Sequence, residues 1–285
     1  MATLAVFMFG SQVFAYPLKH DITIFDKTVS SDNAWYNRGT ADGIASEDNE
    51  TEPGTMTAQA WDLEGFYLGD ETRGTGNTLY MVGGYNFKDG YEGYASGAIF
   101  FGTTGVPKYG EPLGGGGNTA VPNVWGYDYA VVLDFSSLTG PVGHVYKLTS
   151  NSSLRTIWFG PPIYYGKLDN SNPYQYVSDG TYLGTIPIIF SVETTDSLVD
   201  SGYPTGPAGA DGNETHYVIG FDLTAPGLGG YGEPGANWYV HYTYGCGNDN
   251  LMGSYAAPNP VPASVLLLGS GLLGLIGIGR RKRAK

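Results

Sequence analysis

Cysteine is nearly absent, with one residue, Cys246, in a chain of 285. A lone thiol excludes an intramolecular disulfide framework, so the fold must be held by packing or by ions. Cys246 is expected to be buried and inert or to bridge to another molecule, and it cannot build a zinc site by itself. Basic residues are also scarce: 14 against 27 acidic ones, with five of the 14 in the last six positions. The remainder carries 9 positive and 27 negative side chains, a formal −18. Such a balance repels a phosphate backbone and excludes nucleic acid as the expected partner. Four histidines, His20, His144, His216 and His241, stand singly without metal-ligand spacing. Only His216 and His241 would meet, if their strands paired. No Gly-x-Ser-x-Gly elbow occurs, and helical periodicity is missing outside the last 26 residues.

What is abundant is glycine, 45 residues, and tyrosine, 23. This composition favours short strands punctuated by turns. Apolar or alternating runs recur at 22–25, 56–67, 79–87, 95–101, 129–135, 144–148, 155–159, 186–192, 216–223 and 238–244, separated by Gly, Pro, Asn and Asp clusters. The pattern predicts an all-β fold, an antiparallel β-sandwich or jelly-roll-like ectodomain over 16–257, because short strands must bury one face against a second sheet. Within 237–244, Trp238, Val240, Tyr242 and Tyr244 are predicted to face the core, and Asn237, Tyr239, His241 and Thr243 the solvent. The strands at 216–223 and 238–244 are expected to pair across the glycine-rich 227–232 segment. That segment matches a dinucleotide-binding pattern in letters only, since no helix follows it, and it reads as a hairpin loop. Four consecutive glycines, 114–117, mark a long surface loop between strands of one sandwich or a hinge between two subdomains, the loop being preferred because no composition shift separates the halves.

Carboxylates carry the runner-up chemistry. Asp62 and Glu64 share a strand face opposite Trp61 and Leu63, which predicts a wet surface, and Asp134 ends a strand where a glycosidase could place an acid or nucleophile. The acid- and amide-rich loops around Asp42, Asp48, Asp211 and Asp249 suit turns by hydrogen-bonding their own backbone. As oxygen donors, Asp211, Asn213 and Asp249 are the candidate Ca2+ ligands, and no other cofactor is expected.

The two chain ends carry address signals. Residues 4–9 are apolar, and Val13-Phe14-Ala15 places small residues where a signal peptidase reads, so 1–15 is expected to be a signal peptide cleaved between Ala15 and Tyr16. Its basic start is missing, which suits a start codon assigned too far downstream. At the other end, Pro260, Val261, Pro262, Ala263 and Ser264 precede an apolar run of 14 residues, 265–278, whose only polar side chain is Ser270. Arg280, Arg281, Lys282 and Arg283 follow within a basic tail, 280–285. A single short transmembrane helix is expected over 265–279, near the lower limit of ~17–25 residues for a span, with its positive end in the cytoplasm.

This tail resembles a PEP-CTERM sorting signal, in the Val-Pro-Ala-Ser variant that lacks the glutamate. The segment 216–253, with Trp238 and Cys246-Gly247-Asn248-Asp249-Asn250, is similar to the end of many exosortase-dependent surface proteins. The resemblance implies a sorting domain over 258–285 and a partner, an exosortase-like membrane transpeptidase of Gram-negative bacteria. It further implies transient anchoring in the inner membrane after export, followed by release to the cell surface or extracellular matrix. The expected function is that of a non-enzymatic structural or adhesive surface protein. The alternative is a carbohydrate-binding or glycoside-cleaving module acting on exopolysaccharide, in which exposed Tyr or Trp stacks on sugar rings.

Overall fold

The structure is a computed structural model that describes residues 18, 20–24, 58–69, 77–103, 118–157, 171–199, 214–225, 227–228, 231 and 237–256. The signal peptide with Ala15 and Tyr16, the sorting signal from Pro260 to Arg283, the tetraglycine loop and the calcium candidates Asp211 and Asn213 lie outside these residues. Among the described residues no helix is long and apolar enough to cross a membrane.

The all-β expectation holds: the described elements form antiparallel sheets with almost no helix. One sheet has five strands, β1 (His20–Asp21), β2 (Leu63–Leu68), β3 (Thr78–Gly83), β12 (Thr215–Asp222) and β11 (Ile189–Thr194), in the order β1-β2-β3-β12-β11. The second has six, β10 (Thr181–Pro187), β7 (Val142–Lys147), β6 (Tyr129–Asp134), β4 (Ala98–Gly102), β13 (Asn237–Thr243) and β14 (Asn250–Ala256), in the order β10-β7-β6-β4-β13-β14. A third, small sheet joins β5 (Ala120–Pro122), β8 (Ser153–Arg155) and β9 (Gln175–Ser178). A 3-10 turn at Gln59–Trp61 precedes β2, and a five-residue helix, α1 (Thr195–Val199), follows β11.

The period-2 alternation of the strands explains the layering. Phe66, Leu68, Met81, Ile219 and Phe221 from the five-stranded sheet meet Ile99, Phe101, Val131, Val145, Trp238 and Val240 from the six-stranded sheet in one buried cluster. Each large side chain sealed there contributes about 1.5–3 kcal/mol by leaving water. Aromatic contacts thicken one end: Tyr85 stacks on Tyr244 at 4.1 Å, and the Tyr244 hydroxyl donates to the Trp61 carbonyl.

The opposite face of the six-stranded sheet differs from the sequence expectation. Tyr239, His241 and Thr243 do not meet solvent; they are 3 %, 0 % and 0 % exposed. The small sheet covers them, forming a second core of Phe100, Trp125, Tyr127, Leu154, Tyr239 and Met252. The predicted pairing of 216–223 with 238–244 also fails. β12 pairs with β3 and β11, whereas β13 pairs with β4 and β14 in the other sheet. The 227–232 segment is therefore a connection between sheets, not a hairpin loop.

Single chain segments stitch the two main sheets together on both sides. Residues 20–24 pair first with β2 and then with β14: Ile22 N–H donates to Phe66 O at 3.0 Å, while Ile24 N–H donates to Met252 O and Ser254 N–H to Ile22 O, both at 2.8 Å. On the other side β10 hydrogen-bonds β7, passes through Ile188 and becomes β11 against β12. Strands that change sheets at a bend close a sandwich toward a flattened barrel.

Candidate functional site

The small sheet covers the β4-β13-β14 half of its neighbour and the Ala130 end of β6. On the rest of the β6-β7-β10 half, the outward residues Val132, Asp134, Val142, His144 and Tyr146 are partly exposed, and Tyr182 and Thr185 are exposed. The register places Tyr182 opposite Tyr146 and Thr185 opposite His144. Tyr176, from β9, stands at the margin of the small sheet and stacks on Tyr146 with ring centroids 4.2 Å apart. Tyr182 lies 5.4 Å from Tyr146 and 6.1 Å from His144, with 53 % of its surface open. Four rings from three strands thus make a shelf whose wall is the small sheet. Rings held by neighbours bind flat apolar faces at low entropic cost and keep their polar tips wet.

Asp134 ends the shelf. Its carboxylate accepts Ser136 N–H at 2.8 Å and Ser136 Oγ–H at 2.6 Å, and its second oxygen lies 3.2 Å from His144 Nε2. The Ser136 bonds, ahead of His144, draw its pKa down to about 2, so it is an anion at any physiological pH. Beyond Asp134 the mouth of the sandwich opens as a cleft of about 360 Å3. Phe87, Leu133 and Phe135 line it, with Lys88, Asp89 and Asp134 around them.

The carboxylate pair singled out from the sequence lies elsewhere. Asp62 and Glu64 are 0 % and 2 % exposed, not on a wet face. The register between β2 and β3 shifts at Leu63/Gly65, a bulge that turns Glu64 outward beneath α1 and the 3-10 turn. There Glu64 accepts Gln59 Nε2–H at 2.6 Å and lies 2.7 and 2.8 Å from His216 Nδ1, while Thr195 Oγ1 is 2.8 Å from His216 Nε2. In the tautomer whose Nδ1–H donates to Glu64, Nε2 accepts the Thr195 hydroxyl. Hydroxyl, imidazole and carboxylate stand in the order used by acyl-transfer triads. Thr195 and His216 are 3 % and 0 % exposed, however, so no substrate reaches the hydroxyl. The arrangement anchors α1 and the 3-10 turn to the sheet. Sequence reading missed it because residues 59, 64, 195 and 216 share no local spacing.

The remaining expectations can be placed. His216 and His241 lie on the outer faces of opposite sheets and do not meet. Asp249 is 2 % exposed, and its carboxylate accepts the backbone N–H groups of Leu63 at 2.5 Å and Asn250 at 2.8 Å. Among the described residues no group of three or more His, Cys, Asp or Glu is placed to hold a metal ion. Cys246 is buried and unbridged, and burial pushes its thiol up to about 12. The shelf was anticipated only as tyrosine-rich faces. Its signal in the sequence, alternate aromatic residues at 144, 146, 176 and 182, becomes readable once the strand register is known.

Comparison with family models, with curated proteins and with solved structures gives no match for this chain.

Proposed function

We propose that this chain is an exported bacterial surface or matrix protein of the adhesive type. In this reading its C-terminal signal is cut by an exosortase-like transpeptidase after transient anchoring in the inner membrane, and its β ectodomain holds exopolysaccharide. The observation that carries the adhesive part is the open shelf of Tyr176, Tyr146, Tyr182 and His144. Aromatic faces flanked by hydroxyl groups and one ionised carboxylate suit the mixed apolar and polar surface of a sugar chain. Binding is favoured over cleavage, because Asp62 and Glu64 are buried, Glu64 beneath α1 and the 3-10 turn, and Asp134 is fixed as an anion unfit to act as a general acid.

A glycan array combined with a hydrolysis screen, run on the ectodomain and on Tyr182→Ala, tests this. Binding without turnover, lost on substitution, is expected; turnover, or no binding to any glycan, refutes it. For the sorting part, replacing Pro260 and Pro262 by Ala should leave export intact and block release, and normal processing of the double variant would overturn it.

A further inference from the structure

The cleft beyond Asp134 adjoins the shelf, since Asp134 is among the residues that line it and its carboxylate contacts His144, which borders Tyr182. Resting on the glycan-binding reading above, we infer that this cleft is a subsite for an amine-bearing sugar unit and that Asp134 is its specificity-determining residue. At about 360 Å3 the cleft lies at the small end of ligand sites, on the scale of a single ring and not of an oligomer. Its apolar side, Phe87, Leu133 and Phe135, offers a surface for a ring face. Its lining includes two acidic residues, Asp89 and Asp134, and one basic residue, Lys88. Asp134 is preorganised: Ser136 and His144 fix the carboxylate before any ligand arrives, so little ordering cost falls on binding. A protonated amine is a pure donor that matches acceptor-only carboxylates in a charge-assisted bond. A uronate would meet like charge there, on a chain whose formal balance outside its last six residues is already −18.

Titration calorimetry at physiological salt tests the inference, using a glucosamine hexamer, a neutral glucose hexamer and an oligouronate. The native ectodomain should bind the amine oligomer on the order of tenfold more tightly than the neutral one, the scale of one charge-assisted bond, and the uronate least. Asp134→Asn should abolish that preference. Asp222→Asn, which removes an exposed carboxylate on the other sheet, should keep the preference and so exclude a mere net-charge effect. Tyr182→Ala should weaken all three ligands. An unchanged preference in Asp134→Asn, or its loss in Asp222→Asn, overturns the inference. Equal binding of neutral and amine oligomers with loss in Tyr182→Ala overturns it while the shelf stands, and no binding by any oligomer removes the glycan reading itself.

Discussion

His241 should make this protein acid-sensitive well above the range where carboxylates titrate. Its ring is fully buried between the six-stranded and the small sheet, near Phe100 and Tyr127 at 6.2 and 5.7 Å. No hydrogen bond of good geometry reaches either ring nitrogen, although the Asn250 side chain and the Ser171 backbone lie close enough to oppose the effect of burial in part. Desolvation lowers its pKa from 6.5 to about 3, so the folded protein holds the ring neutral while the unfolded chain protonates it. A depressed folded-state pKa means the contribution is complete above pH 6.5 and is lost progressively as pH falls toward about 3. At pH 5 the loss is about 2 kcal/mol, at ~1.4 kcal/mol per pH unit below the unfolded value. The assay is urea unfolding at pH 7 and pH 5 for the native protein and for His241→Phe, which keeps a ring in place and removes the titration. Other groups titrate in both proteins, so the difference between the two pH-dependent losses isolates His241. The native protein should lose about 2 kcal/mol more than the variant. Equal losses would refute the reasoning and mean that the ring is hydrated or paired when folded.

Removing Glu64 should be costlier than removing a surface acid. Glu64→Ala leaves the buried His216 ring and Gln59 amide without their acceptor, for a loss of about 3–5 kcal/mol by chemical denaturation, and a loss under ~1 kcal/mol would contradict the anchoring role. Gly97→Ala would place a methyl group 1.9 Å from Thr243 O and 2.6 Å from Tyr174 O, both backbone atoms that cannot step aside. It should destabilise by at least about 2 kcal/mol in thermal unfolding, and unchanged melting would show the three layers to be looser than described. Cys246 should react with an aromatic disulfide reagent on the order of a hundredfold more slowly in native than in urea-unfolded protein, following its suppressed thiolate; rapid stoichiometric labelling of the native state would contradict its burial.

The strands themselves were legible because Val, Ile, Tyr and Phe alternate within them, and the core face of β13, Trp238, Val240 and Tyr242, was read correctly. What its other face touches was not legible. The covering strands β5, β8 and β9 are three to four residues long and include Pro122 and Arg155, too short to set a period. The run 186–192 looks like one strand, although it serves two sheets on either side of Ile188, since a bend between sheets changes neither hydrophobicity nor alternation. For the site, Asp134 was visible at its strand end, while Tyr176 and Tyr182 reach it only through pairings distant in sequence. Glu64 was placed on a wet face because its cover, Gln59 in the 3-10 turn and Thr195 in α1 by way of His216, comes from other segments, and nothing in Leu63-Glu64-Gly65 announces it.

On the adhesive reading proposed above, the passage of β10 into β11 would have a mechanical consequence. Drag on a captured polymer would pull on Tyr182 and therefore on β10, the outermost strand of its sheet. Because that strand continues as the backbone of the opposite layer, tension is shared across the bend at Pro187 and Ile188 and is not spent peeling a rim strand away. Such a grip would thereby be spliced into both halves of the body that bears it.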